Sequence, residues 1–207
     1  MREFTVKKND AGQRLDKFLS KALPSLPPSL LYKSIRLKKI KVNRHRADGK
    51  QMLLEGDTVQ LFLAEEFFPA PQGGERAHAL DAIKPSLSIL YEDENIMLLC
   101  KRPGVCVHED AEGSRNTLLL HLQAYLYQKG EYDPKKEQSF APALCNRIDR
   151  NTGGMVIAAK DAAALRDMNE VIREDWLSKF YLCLVHGRVE REKATLHGYL
   201  RKDSAKN

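Results

Sequence analysis

Hydrophobic residues follow two kinds of spacing in the first third of the chain. After Asp10-Ala11-Gly12, apolar positions recur every three or four residues, which predicts a helix that ends before Pro24. A second helix is predicted after Pro27-Pro28. Beyond it, apolar and polar residues alternate towards Leu63, which is typical of short strands. The chain is therefore predicted to open with a short strand over residues 2–7, followed by two short helices and then small strands.

A second block of patterned sequence begins at Ser86. Apolar runs of strand length alternate there with longer segments of helical spacing, and polar residues able to cap a helix precede those segments. The predicted strands cover residues 87–91, 96–100, 155–159 and 179–187, and the predicted helices follow Asn116-Thr117 and Asp161.

A stretch without sustained periodicity separates the two blocks. It contains Pro69, Pro71, Pro85 and the pair Gly73-Gly74, which are residues that interrupt regular structure. We therefore expect an N-terminal domain over residues 1–63, a linker over 64–85 and a second domain over 86–207.

Charge distinguishes the two domains. Residues 1–63 carry 14 Lys and Arg against six Asp and Glu, whereas the rest of the chain is slightly acidic. Seven of these cations form a basic cluster with one acid among them, Asp48. Its members are Arg36, Lys38, Lys39, Lys41, Arg44, Arg46 and Lys50. A run of this kind is usually a solvated surface, but its place on a predicted helix and turn favours a polyanionic partner such as RNA.

Composition excludes several other classes. Apolar residues make up 43% and charged residues 30% of the chain, and no apolar run approaches the roughly 20 residues of a membrane span. No apolar signal core follows the N-terminal Met, so we expect a cytoplasmic protein without membrane contact. The four cysteines (Cys100, Cys106, Cys145 and Cys183) form no C-x-x-C pair and share no ligand spacing with histidine. We expect small buried hydrophobes in a reducing compartment and no metal site.

The segment Leu144–Lys160 holds the candidate chemistry. It reads LCNRIDRNTGGMVIAAK, with polar residues immediately before a predicted buried strand. In extended backbone, Arg147 and Asp149 project to one face, and a carboxylate beside a guanidinium stays ionised, as a nucleophile must. Spacing alone favours a simpler interpretation, a surface ion pair that closes a turn.

The same segment resembles the catalytic signature of the ribosomal large-subunit type (RluA-like) RNA pseudouridine synthases. That signature is His-Arg-Leu-Asp, two variable residues, Thr, a small residue and Gly, and Arg147, Asp149, Thr152 and Gly154 match it. The stretch Lys101–Gly104 is similar to the family's opening Lys-x-x-Gly. Lys-x-Tyr-x-x-x-Val-x-Gly, which supplies the family's active-site tyrosine, is similar to residues 179–187 and places Tyr181 there.

The N-terminal domain resembles the S4 RNA-binding module at RLDKFL (14–19) and EGDTVQL (55–61). Together the resemblances imply an α+β protein: a small S4-like module joined to a catalytic domain with a mixed, mainly antiparallel sheet. They imply an enzyme that isomerises uridine in structured RNA, with 23S ribosomal RNA as the expected substrate.

The resemblance also implies roles. Asp149 attacks the sugar or the base, or stabilises a glycal-like species. Tyr181 is the general base or packs under the uracil, and Arg147 fills the space left by the extruded nucleotide. Arg150 binds phosphate together with the basic cluster. No metal, nucleotide or other cofactor is expected.

Two departures support other hypotheses. Asn146 replaces the family's histidine, which we interpret as a change in a supporting hydrogen bond. The family's later Thr-Gly-Arg-x-His-Gln-Ile-Arg segment does not occur, so Asn207 is expected to lie inside the catalytic domain. The rival hypothesis is a non-catalytic RNA-binding protein with a synthase remnant. A small hydrolase using Asp149 is a third, which lacks a recognisable histidine base.

Overall fold

A computed structural model describes residues 1–68, 73–109 and 116–199 of the chain. The chain divides into two units, Met1–Trp176 and Leu177–Asn207. The larger unit contains two four-stranded sheets, each with its own apolar core.

The first sheet belongs to the N-terminal module. Its strands are β1 (Arg2–Thr5), β2 (Ile40–Val42), β3 (His45–Arg46) and β4 (Thr58–Leu61), arranged β1-β4-β2-β3 with antiparallel neighbours. Helices α1 (Leu15–Ala22) and α2 (Pro28–Arg36) precede β2. Their apolar faces pack on the sheet because Leu15, Phe18, Leu19, Leu31 and Ile35 are buried in the same cluster as Val59 and Leu61. The predicted order of helices and strands is confirmed.

The second sheet contains the segment with the candidate chemistry. Its strands are β5 (Ile89–Glu92), β6 (Ile96–Lys101), β7 (Ala143–Leu144) and β8 (Gly154–Ala159), arranged β5-β6-β8-β7 with antiparallel neighbours. The predicted strand over 155–159 is therefore a central strand. Its residues Val156 to Ala159 are buried, and Val156 and Ala158 belong to the apolar core of this sheet.

Helices α4 (Leu118–Gln128) and α5 (Ala162–Arg173) begin where the sequence predicted capping residues. The Thr117 side chain accepts a hydrogen bond from Leu120 N at 3.2 Å, and Asp161 Oδ1 accepts one from Ala164 N at 2.8 Å. Each side chain satisfies an N–H that has no partner within its helix.

The predicted linker contains regular structure. Residues Glu65–Phe67 form a short 3-10 turn, and α3 (Gly73–Asp81) packs against α4 with Ala77 and Leu80 buried. Regular structure thus occurs where the sequence shows no sustained periodicity, and the role of residues 64–85 as a linker stays a prediction. The segment contains two glycines and three prolines, and α3 has only a narrow apolar side, so the sequence did not indicate a helix.

Hydrogen bonds join the N-terminal module to the second sheet and its helices. Asp10 is fully buried and accepts a 2.6 Å hydrogen bond from Ser139 Oγ, and Asn9 Nδ2 donates to Glu137 Oε1 at 3.0 Å. Asn9 Oδ1 also accepts from Ala162 N at 3.2 Å, and Arg166 donates to the carbonyl of Ala11. Both helix α5 and the loop before β7 thus contact the module.

Within the second unit, the described residues 177–199 form neither helix nor strand. The predicted strand over 179–187 is therefore not formed. A strand is stable only when a neighbour satisfies its backbone groups, and alternation of apolar residues alone does not provide one. Phe180, Leu182 and Leu184 are almost fully exposed.

The expected fold class is confirmed: an S4-like module and a second, antiparallel sheet form an α+β protein. No helix in the described part of the chain is long and apolar enough to cross a membrane.

Candidate active site

The candidate chemistry lies on one loop, residues 145–153, which we call the RIDR loop. It connects β7 to the start of β8. Ile148 packs against the core of the second sheet, while Arg147 and Asp149 on either side of it are exposed. Both side chains are exposed, and the expectation that they project in one direction stays a prediction.

The predicted ion pair is not formed. Arg147 and Asp149 make no ion pair with each other in the described structure, and both are free of other side-chain partners there. The loop turns at this point, with Thr152 N donating to Asp149 O at 3.1 Å, so the backbone is not the extended strand that the expectation assumed. The charge of Asp149 acts instead on a different cation, Lys101, and works to raise the pKa of that lysine.

Lys101 holds the RIDR loop in place by hydrogen bonds from its buried side chain. It is the last residue of β6, its side chain is 1% exposed, and it lies opposite Gly154 in the β6–β8 pairing. Its ammonium donates to the carbonyls of Arg102 at 3.2 Å, Val105 at 2.9 Å and Arg150 at 2.9 Å. All three donors of the ammonium are thereby used, one of them on the RIDR loop itself.

Burial lowers the pKa of Lys101, and the charges of Cys106 and Asp149 act in the opposite direction. Three backbone carbonyls accept from the lysine, and the Asp149 side chain is exposed. A buried ammonium bound in this way sets the geometry of the loop.

Arg150 closes the loop against the segment that follows β6. Its carbonyl also accepts from Gly104 N at 2.8 Å, and its Nε donates to Gly104 O at 3.3 Å. Gly153 allows this approach, because a Cβ there would lie 3.2 Å from Pro103 Cδ. The guanidinium expected to bind phosphate therefore has a structural contact as well.

Asn146 anchors the other end of the loop. Its Oδ1 accepts from Ile157 N at 2.8 Å, next to the backbone bond from Cys145 N to Ile157 O at 2.7 Å. The amide thus extends the β7–β8 ladder with a side chain. That this contact replaces a supporting hydrogen bond of the family's histidine stays a prediction.

The basic cluster lies on the module, from the end of α2 to the turn that follows β3. All of its members except half-buried Lys41 are exposed, and Lys41 Nζ lies 5.6 Å from the centre of the Phe62 ring. Its side chains form no ion pairs within the described residues. Lys38 and Arg44 have φ angles of 59° and 66°, the left-handed region that glycine favours.

Tyr181 belongs to the second unit, where it is 64% exposed. Its approach to Asp149 stays a prediction. Among the cysteines, Cys106 is buried, Cys100 and Cys145 are half-buried, and Cys183 is exposed, so the expectation of burial is wrong for Cys183. Burial raises the pKa of Cys145 to about 11, which keeps that thiol protonated. No group of metal-ligating side chains occurs in the described ranges.

Comparison with known proteins assigns this loop to a family. The family model described as RNA pseudouridylate synthase matches residues 95–207, which include Lys101, the RIDR loop and Tyr181. The chain belongs to the RNA pseudouridylate synthase family. The S4 domain model matches residues 13–59 and covers the basic cluster.

Curated relatives from this family are identical to this chain at about a third of the aligned residues. An uncharacterized RNA pseudouridine synthase of Mycoplasma genitalium is 34% identical over 190 residues, which is 90% of this chain and 56% of the relative. The ribosomal large subunit pseudouridine synthase C of Salmonella typhi is 32% identical over 203 residues, 94% of this chain and 57% of the relative. The chain therefore spans less than two thirds of the length of these relatives.

A solved human structure, RNA Pseudouridylate Synthase Domain Containing 4, is 24% identical. The match covers 51% of this chain and 34% of that one, with a TM-score of 0.33.

Sequence reasoning missed two contributors to the site. Lys101 lies inside the Lys-x-x-Gly stretch, but a lysine at a strand end is usually interpreted as exposed. The stretch around Gly104 was likewise not expected to contact Arg150. The signal that could have revealed both contacts was the presence of two apolar strands, β6 and β8. When these strands pair in antiparallel order, the end of β6 lies beside the start of β8.

Proposed function

We propose that this chain is an RNA pseudouridine synthase in which Asp149 is the catalytic carboxylate and ribosomal RNA is the substrate. One observation supports the role of Asp149 above all. Its carboxylate is exposed, while the carbonyl of the next residue is held by Lys101 Nζ at 2.9 Å and Gly104 N at 2.8 Å. A rigid backbone presenting a free carboxylate is what a reaction at a bound nucleotide requires.

The chemistry is an isomerisation. The bond between N1 of uracil and C1′ of ribose breaks, the base turns, and a bond forms between C5 and C1′. The proton on C5 then leaves and N1 gains one, so atoms and electrons balance without a co-reactant. A carboxylate suits the first step because it meets the positive charge that develops at C1′.

The other residues have proposed roles in binding and proton transfer. Tyr181 removes the C5 proton or packs under the uracil. Arg147 is exposed and makes no ion pair with Asp149, so its planar cation is available to fill the stack after the uridine leaves. Arg150 and the basic cluster contact phosphates, which supply affinity without reading sequence.

The substrate proposal comes from the relatives and the module. Relatives named ribosomal large subunit pseudouridine synthase C match nearly all of this chain. An S4 domain with exposed cations at its surface fits a structured RNA.

Replacement of Asp149 tests the proposal. Asp149→Asn keeps the size of the side chain but removes its charge, so pseudouridine formation on a 23S ribosomal RNA transcript should fall at least about a hundredfold. RNA affinity should stay within about threefold, because binding depends on the cations. Pseudouridine is measured by mass spectrometry of digested RNA.

Asp167→Asn, an exposed carboxylate on α5, is the matched control and should leave product unchanged. Equal product from Asp149→Asn and the unaltered chain would refute the assignment.

Non-catalytic RNA binding remains the second candidate function. The exposed, irregular segment around Tyr181 favours it, since the proposed base is not on a strand. That function predicts that the unaltered chain binds the transcript and forms no pseudouridine.

A further inference from the structure

A cavity of about 500 Å³ opens on the N-terminal module, beside the basic cluster. It is lined by four cations together with one aromatic ring and a turn. The lining residues are Arg14, Tyr32, Ile35, Arg36, Arg46 and Ala47, with the turn Asp48–Lys50. Asp149 is not among them, so the cavity is separate from the candidate active site.

Tyr32 is held in place although its ring is exposed. The side chain is 54% exposed, and its hydroxyl donates to Asp16 Oδ2 at 3.1 Å. Asp16 is itself 2% exposed and accepts a second hydrogen bond from Arg14 Nε at 3.1 Å. Burial acts to raise the pKa of Asp16, but the hydrogen bonds from Arg14 and Tyr32 outweigh it and lower that pKa. An ionised, buried carboxylate thus fixes the ring at the edge of the cavity.

The cations around the ring lack internal partners. Arg36, Arg46 and Lys50 form no ion pairs within the described residues, and they are exposed. Asp48 is the one acid in the lining, and its Oδ1 accepts from Lys50 N at 2.8 Å. The cavity therefore combines a fixed aromatic surface with an excess of positive charge.

The aromatic ring and the cations together fit one kind of RNA ligand, a nucleotide. A nucleotide offers a flat base for the ring and a phosphate for the cations, and the cavity is of the size that holds a small ligand. Bases inside a duplex are stacked on each other and cannot reach a ring, whereas bases in a loop or bulge can. A ring fixed before binding loses little entropy when the base stacks on it.

We infer that this cavity is a subsite for a single unpaired nucleotide, whose base stacks on Tyr32 and whose phosphate binds Arg36, Arg46 and Lys50. The inference rests on the proposed function only in taking RNA as the ligand. It adds that the module recognises a loop or bulge instead of a plain duplex. Arg14 serves as a positioning residue, because it acts through Asp16.

Two RNA probes of equal length test this inference on the full chain: a hairpin with a single-stranded loop and a blunt, fully paired duplex. Both are labelled with fluorescein, and dissociation constants are measured by anisotropy. The unaltered chain should bind the hairpin more tightly. Tyr32→Leu should weaken hairpin binding about tenfold and duplex binding less than twofold, because only the loop offers a base to stack.

Tyr91→Leu is the matched control. Tyr91 is 49% exposed, and its hydroxyl donates to Asp93 at 2.9 Å, so it repeats the exposure and contact of Tyr32 on the second sheet. It should change binding of neither probe. Tyr32→Phe keeps the ring and should retain most of the preference for the hairpin, which separates stacking from loss of the hydroxyl.

A loss of equal size on both probes, or no loss on either, would overturn the subsite. If the chain also forms pseudouridine in that case, the proposed function stands and only the subsite fails. If the unaltered chain binds neither probe and forms no product, RNA as the ligand is wrong, and both proposals fall together.

Discussion

The second sheet buries two lysines, whereas the first sheet exposes its basic cluster. On the second sheet, Lys101 is buried against three carbonyls, and Lys160, with its side chain 8% exposed, lies 3.0 Å from Glu92 Oε1 and 2.8 Å from the carbonyl of Asp93. On the first sheet, the basic cluster points outwards, and its members have no ion pairs in the described part of the chain.

This difference separates two uses of a cation. A buried ammonium that has carbonyl or carboxylate partners stabilises one backbone geometry, and removing it leaves those partners unsatisfied. An exposed cation without partners adds little to the free energy of unfolding but is available to a phosphate. Substitutions on the second sheet should therefore alter folding and geometry, and those on the first should alter RNA affinity.

The largest effect is expected at Lys101. Lys101→Met keeps the apolar part of the side chain but removes three hydrogen bonds to backbone carbonyls, so the free energy of unfolding should fall by about 3 kcal/mol. Pseudouridine formation should fall as well, because the RIDR loop loses its support. Urea unfolding and the transcript assay measure the two effects.

Lys84→Met, at an exposed position, is the control for Lys101→Met and should change the free energy of unfolding by less than about 0.5 kcal/mol. A fully stable Lys101→Met variant would remove the contrast between the two sheets.

A smaller, pH-dependent effect is expected at Glu92. Burial opposes ionisation, but hydrogen bonds from Lys129, Lys160 and Tyr125 lower the pKa of Glu92 from 4.5 to about 2. A carboxyl whose pKa is lower in the folded state stabilises the fold above pH 4.5 and loses that contribution as the pH falls towards 2. Glu92→Gln should therefore cost about 1 kcal/mol at pH 7 and almost nothing near pH 2.

Glu94→Gln is the control for the pH experiment, since Glu94 is an exposed neighbour. Urea unfolding at several pH values should show a difference between Glu92→Gln and the unaltered chain that shrinks below pH 4.5. A difference that is constant with pH would mean that the charge of Glu92 is not what stabilises the fold.

The smallest effect on stability, with the opposite sign, is expected on the first sheet. Lys38→Gly relieves a φ of 59° and should raise the free energy of unfolding by about 0.5 kcal/mol, while removing a cation should weaken RNA binding about threefold. Thermal unfolding and anisotropy measure the two quantities.

Lys39→Gly provides the comparison, because Lys39 is an exposed lysine of the same cluster whose φ is not positive. It should weaken binding similarly but lower stability. If both variants are destabilised alike, the backbone at Lys38 carries no strain.

Local signals predicted much of this fold. Helical spacing and capping residues located α1, α2, α4 and α5, and an apolar run bounded by glycines located β8. The basic cluster was predicted from charge alone, since exposed cations are defined by sequence more than by packing.

Contacts between distant segments could not be predicted in the same way. The burial of Lys101 depends on the carbonyl of Arg150, which lies far along the chain and approaches only when β6 pairs with β8. The side chain of Asn146 likewise completes a ladder that exists only in the sheet. The strand over 179–187 was predicted from alternation, but pairing requires a neighbour that a local pattern does not specify.

The separation of the two apolar cores bears on how such a chain can change over generations. Buried apolar residues between Val6 and Phe68 form one cluster, and buried apolar residues between Leu80 and Ala158 form another. The module and the second sheet are joined by hydrogen bonds such as those of Asn9 and Asp10. Either core can therefore accumulate its own replacements without repacking the other, and only the few polar residues at the junction must be inherited together.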